Sequence, residues 1–154
     1  MVATLRGTGG HDIIDTALAA LRNLEHRGAI GSDAGTGDGA GILTQIPDAF
    51  LRAVSGFALP PLGRYAVGNA FLPDERAERD QIKAEIEAIA KEESLSILGW
   101  REVPVRPDEI GMLARAAMPA IEQVYIESTR TTDGGDSAGG TLLERQVYRL
   151  RKRV

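Results

Sequence analysis

A chain of 154 residues with a net charge of −4 and 43% hydrophobic residues has the size of one ordinary domain and the composition of a globular protein. The acidic balance argues against nucleic acid as the main partner, and no apolar run approaches the length of a membrane span. The chain contains no cysteine, which excludes disulfides, thiolate zinc sites and a cysteine nucleophile among these residues. Two histidines, His11 and His26, are too few for a three-histidine metal site. The opening MVATLRG has no secretory apolar region, so the expected location is the cytoplasm.

Residues 1–6 read as a strand end that runs into a Gly-Thr-Gly-Gly turn. From Asp12 to Glu25, Ile13, Ile14, Ala17, Leu18, Leu21 and Leu24 recur at helical spacing, with Asp12 as N-cap and Gly28 just past the end. Gly41 to Ile46 reads as a strand closed by Pro47, and Pro47-Asp48 opens a short helix through Val54. Phe57 to Gly63 is a proline-punctuated loop. Tyr65 to Leu72 then reads as a buried strand, and Asp74 to Ser94 as a helix with Ile82, Ile86 and Ile89 on one side. Leu95 to Val105 reads as a further strand, expected to pair antiparallel with Tyr65–Leu72.

Pro107-Asp108-Glu109 signals another helix, which Pro119 kinks or ends, and Ile121 to Ile126 is apolar enough for a strand. Residues 127–141, ESTRTTDGGDSAGGT, bury too little apolar surface to hold themselves in order and read as a flexible loop. Leu143, Val147 and Leu150 place a helix over residues 142–154. Strands and helices in this order predict a mixed α/β or α+β domain.

Residues 25–42, EHRGAIGSDAGTGDGAGI, hold six glycines in eighteen positions, a costly concentration of backbone freedom. Gly35 to Ala40 fits G-x-G-x-x-A, but a dinucleotide site needs a strand before that run and a helix after it. Here the predicted order is reversed. No Lys-Ser or Lys-Thr follows, so a phosphate loop of the Walker type fails as well. Gly7 to Asp12 lies between a predicted strand and a helix, yet Asp12 would put negative charge where a phosphate should sit. Asp33 and Asp38 suggest a calcium loop only until Gly35 and Gly37 are found at the alternate ligand positions; a solvated acidic loop is the expectation.

Ser32, His26 and Asp38 form a triad on paper without the strand–turn–helix context that a nucleophile needs. Arg145, Arg149, Arg151, Lys152 and Arg153 read as an exposed helix face. His26-Arg27-Gly28 stands apart, because a helix there delivers a guanidinium into a glycine-rich loop. Arg27 is suited either to hold a carboxylate in bidentate geometry or to sit exposed at the helix C-terminus. Both readings stay open on the residues alone.

Residues 17–52, ALAALRNLEHRGAIGSDAGTGDGAGILTQIPDAFLR, closely resemble the start of the large subunit of glutamate synthase: a leucine-rich helix, H-R-G-A, an acidic spacer, T-G-D-G-A-G-I, then I-P-x-x-F. The YAVGNAFLP, LGWREVPV and LLERQVYRLRKR segments resemble the same family. The resemblance implies an α+β fold that is part of an N-terminal-nucleophile (Ntn) αββα four-layer sandwich, with residues 1–154 as part of a class II glutamine amidotransferase domain. In that family an N-terminal cysteine thiol attacks the glutamine side-chain amide, its own α-amine serves as base, and ammonia leaves from a glutamyl thioester. The resemblance places Arg27, Gly28 and Asp38 in the active-site loop, with Arg27 on the arginine of the family's H-R-G motif.

The resemblance also carries expectations about what lies elsewhere. Met1 stands where the family has phenylalanine, and the family's cysteine falls before it, while the family domain runs on past Val154. The expectation is a domain truncated at both ends, with no catalytic residue of its own, no metal and no glutaminase activity alone. FMN, an iron–sulfur cluster and NADPH or ferredoxin belong to other domains of the full-length family enzyme. Glutamine or glutamate is the expected ligand. The remaining synthase domains or a complementary chain are the expected partners, with self-association through exposed apolar faces. The alternative is a non-catalytic module that binds a small carboxylate or assists assembly on the same scaffold.

Overall fold

The computed structural model describes residues 2–3, 5, 7, 9–24, 33, 35–36, 41–131 and 138–154. The chain divides into two compact units, residues 1–46 with 106–118 and residues 47–105 with 119–154. Among the described residues, helices and one antiparallel sheet give an α+β protein.

The second unit is built on three strands, β1 (Tyr65–Leu72), β2 (Leu95–Glu102) and β3 (Ala120–Ser128), with helices α2 (Asp48–Val54), α3 (Arg76–Glu92) and α5 (Gly140–Arg153). The sheet order is β1-β3-β2, and both outer strands run antiparallel to β3. The expected pairing of Tyr65–Leu72 with Leu95–Val105 is therefore wrong. These two strands lie parallel to one another on either side of β3, and α3 is the crossover that parallel strands require. β3 takes the centre because its apolar residues serve both faces: Val124 and Ile126 point one way and Tyr125 the other.

On one face, Ala90 of α3 and Leu143 and Leu150 of α5 pack with Leu95, Val124 and Ile126. The α5 spacing of Leu143, Val147 and Leu150 was readable, and Gln146 lies buried beside them. Its Nε2 donates to the Glu93 and Ser94 carbonyl oxygens at 2.9 and 3.0 Å, satisfying groups that the end of α3 leaves over. Glu122 is buried on β3, and Lys83 donates to it at 2.6 Å while its ammonium sits 4.8 Å from the centre of the Trp100 ring. An anion taken out of water is tolerated there because a cation meets it.

On the other face, Leu51 of α2 packs with Tyr65 and Tyr125, and Phe57 meets Tyr125 edge-on with ring centroids 5.1 Å apart. The register of β2 shifts between Ile97 and Gly99, and a Cβ at Gly99 would fall 2.6 Å from the Phe57 ring. The glycine and the bulge together make room for that ring. Asp48 binds the start of this layer to the sheet, accepting from Arg52 Nε and from the Tyr65 hydroxyl, each at 2.9 Å. Burial, then the bond to Asp48, pushes the Tyr65 hydroxyl up to about 12, so it remains a proton donor.

In the first unit, α1 (His11–Asn23) matches the expected helix, but its N-cap is Gly10, not Asp12, and it makes no side-chain cap. None of its residues is buried. The anticipated strand at residues 1–6 is absent among the described residues, and Leu5 is fully exposed in a turn. The Gly41–Ile46 segment is also no strand. It is solvent-facing, with Leu43 102% exposed, and apolar residues make a strand only where they pack and a neighbouring strand pairs with them. Pro107–Glu109 forms a 3-10 turn, and α4 (Met112–Ala116) ends before Pro119.

Residues 132–137, the middle of the expected flexible loop, lie outside the described residues. At its margins Glu127 and Ser128 belong to β3, and Gly140 and Thr141 begin α5, so regular structure reaches further into that loop than composition suggests. Among the described residues, no helix is long and apolar enough to cross a membrane.

Candidate functional site

The glycine-rich stretch is described at Asp33, Gly35, Thr36, Gly41 and Ile42, and the first three of these close onto the start of α4. Gly35 has φ +85°, the left-handed region, and lies in a turn where the Thr36 N–H donates to the Asp33 carbonyl at 3.1 Å. Gly111 N–H donates to the Gly35 carbonyl at 3.0 Å. The Asp33 side chain then does the work of a helix cap from far away in sequence. Its Oδ2 accepts from Thr36 Oγ1 at 2.6 Å and from the Leu113 N–H at 3.0 Å. The Ala114 N–H reaches Thr36 Oγ1 at 3.4 Å.

The sequence of α4 explains why the cap comes from elsewhere. Its N-cap, Gly111, has no side chain to offer, so the first N–H groups of the helix need an outside acceptor. Gly111 is also buried against the loop: a Cβ there would collide with Thr36 Oγ1 and come within 2.5 Å of Asp33 Oδ2. The Thr36 hydroxyl first, then the Leu113 and Met112 N–H groups, hold the Asp33 carboxyl below the usual carboxylate range. Asp33 is half-exposed and bonds through Oδ2 to internal donors, contacts that the expectation of a solvated acidic loop did not include.

Arg27, Gly28 and Asp38, the residues singled out for the active-site loop, lie outside the described residues, as do His26 and Ser32. The structure describes the chain on both sides of them: α1 closes at Asn23 with Leu24 after it, and the exposed stretch from Gly41 leads into α2. The link between Asp33 and Leu113 was missed by sequence reading. The one available signal was a helix start, Ile110-Gly111-Met112, without a capping side chain of its own.

The remaining candidates are structural. On α5, Arg149 and Arg153 bond to Glu93 at 2.6 and 2.9 Å, and Arg153 also reaches Glu92. The basic cluster is thereby partly neutralised by the end of α3. A shallow hollow lined by Glu144, Arg145, Tyr148 and Arg149 is formed by side chains of that one helix. Among the described residues, no group of three His, Cys, Asp or Glu side chains converges as a metal site would require.

A leucine-rich helix that leads into a glycine loop braced on a second helix start belongs here to a known family. The sequence profile of the class-II glutamine amidotransferases matches residues 1–154, and the chain is a member of that family. Among curated proteins it is 40% identical to the glutamate synthase (NADPH) large chain of Bacillus subtilis, over 100% of this chain and 10% of that protein. It is 37% identical to ferredoxin-dependent glutamate synthase 2 of Synechocystis, over 96% of this chain and 9% of that protein. Glutamate synthase (NADH) of Schizosaccharomyces pombe is 35% identical, over 96% of this chain and 7% of that protein. The chain therefore spans about a tenth or less of the length of the curated relatives it matches.

Proposed function

We propose that these residues form the front part of a glutaminase domain, of the kind that releases ammonia from the side-chain amide of glutamine for glutamate synthesis from 2-oxoglutarate. The observation that carries the reading is the family match along the whole chain, with relatives named as glutamate synthases at 35–40% identity. Within this reading the α+β unit is part of an αββα sandwich, completed by strands and helices outside these 154 residues. Arg27, Gly28 and Asp38 line the glutamine site, with the Arg27 guanidinium on a carboxylate of the ligand. The thiol that attacks the amide is likewise supplied from outside, since none of the 154 residues is cysteine.

The test is a calorimetric titration with glutamine of the complete protein that carries these residues, with ammonia release followed in parallel. Glutamine binding is the expected result, with ammonia released only where a cysteine is present. Binding of glutamine or glutamate without any ammonia release would favour a carboxylate-binding module on the same scaffold. Failure to bind either ligand would overturn the glutaminase reading, and ammonia release by residues 1–154 alone would overturn the external thiol.

A further inference from the structure

The sheet has two outer strands, and their free edges are built differently. On β2 the register shifts between Ile97 and Gly99, and Arg101 and Glu102 place charges at the strand's end. A bulge and charges both discourage a further strand from pairing there. β1 carries neither. Its eight residues, YAVGNAFL, include no charge and no proline, and all of them pair with β3 in unbroken register. Gly68 and Asn69 at its middle are exposed, and an exposed glycine presents its backbone directly to water. Among the described residues, no backbone bond outside the ladder with β3 is made by residues 66–72. Phe71 on the same strand is 68% exposed. A long, flat, uncharged edge of this kind is a template for another strand.

The strand is also complementary to itself. Side chains alternate, so Tyr65, Val67, Asn69 and Phe71 share one face of the sheet and Ala66, Gly68 and Ala70 the other. A two-fold axis normal to the sheet at Gly68 runs two β1 strands antiparallel and keeps each face continuous. Phe71 then lies opposite Tyr65 of the second copy, Ala66 opposite Ala70, and Gly68 opposite itself, with no like charges facing. Arg64 precedes the strand, and Asp74 and Glu75 follow it. Antiparallel pairing sets the positive start of each copy toward the negative end of the other. We propose that β1 is a self-association edge through which two copies of this chain form one continuous sheet. A single pair of strands buries less than a standard interface, so the dimer is a weak one, in the micromolar to millimolar range.

The test is sedimentation equilibrium of the 154-residue chain and of three variants, Asn69→Lys, Asn69→Asp and Ser96→Lys. In the paired arrangement Asn69 lies diagonal to its own copy, about 7–8 Å away, so like charges placed there repel. The unsubstituted chain is expected to dimerise with rising concentration. Asn69→Lys and Asn69→Asp should each weaken the dimer roughly tenfold, and an equimolar mixture of the two should restore it, because opposite charges then meet. Ser96→Lys puts the same charge on β2 and should leave the dimer unchanged.

A monomer throughout that concentration range overturns the proposal and leaves the edge for a strand of another chain. Open-ended assembly, an equal loss in Ser96→Lys, or a mixture that associates no better than its parts also overturns it. Where a variant fails to fold, amide exchange in the unsubstituted chain decides. Exchange along β1 should slow as concentration rises while that along β2 does not; uniform slowing, or none, overturns the pairing. None of these outcomes bears on the glutaminase reading.

Discussion

The two units of this chain are held together by different physics. In the unit with the sheet, oily side chains do most of the work: Tyr125 and Ala90 have no exposed surface, and Leu51 and Leu95 almost none. In the unit with the glycine loop, α1 buries none of its residues, and all of the buried hydrophobic side chains among the described residues belong to the other unit. Among the described residues, the join between the loop and α4 is polar: the Asp33 carboxylate, the Thr36 hydroxyl and a few backbone N–H groups meet at Gly111. Apolar burial makes a region hard to open, whereas a few exposed polar bonds make one that opens cheaply. The difference separates the part that gives the chain its stability from a part that opens more readily.

The sharpest way to break that comparison is to remove a side chain from the sheet core. Tyr125→Ala deletes a ring packed on both Leu51 and Phe57 and should cost about 3–5 kcal/mol in chemical denaturation. Leu113 amide exchange in the loop unit should stay as it was under native conditions, and a matching rise there would merge the two units into one cooperative block.

A smaller effect is expected from Glu122→Ala, about 1–3 kcal/mol, because Lys83 and Arg79 then face a partly buried site without their anion. Replacing Lys83 by Met together with Glu122→Ala should recover part of that loss; no recovery would mean that the pair acts through packing alone.

The smallest effect belongs to the loop unit and is read from pH. The Asp33 carboxyl lies below its ordinary value near 3.8, so the stabilisation from its ionised form is fully present above that value. It is lost as pH falls through the lowered folded value. Leu113 amide opening should therefore increase below about pH 4, after the usual acid slowing of intrinsic exchange is divided out. In Asp33→Asn the same amide should show no such step, and a step that persists would assign the acid sensitivity to another carboxylate.

Much of the fold was visible in the residues, for reasons that explain what was not. β1, α3, β3 and α5 declare themselves because their apolar residues repeat with the period of the element they form. Which strand pairs with which is written nowhere locally: Tyr65 meets Glu127 and Leu95 meets Ser128, across 62 and 33 residues respectively. Gly41 to Ile46 shows the opposite failure, a strand-like run that no strand pairs with among the described residues. The site divides in the same way. Arg27, Gly28 and Asp38 were reached through a family resemblance, while the bond from Asp33 to Leu113 depends on two segments that only folding brings together.

The placement of β3 between two strands that precede it has a consequence for synthesis. As the chain leaves the ribosome, β1 emerges first and then β2, and neither has its hydrogen-bonding partner until Ala120 to Ser128 have followed. For that interval two strands with unpaired backbone edges exist on one nascent polypeptide, separated by a helix whose own hydrogen bonds are local. The last strand made is thus the one that turns both earlier ones into a sheet, and assembly of this unit waits for its final third.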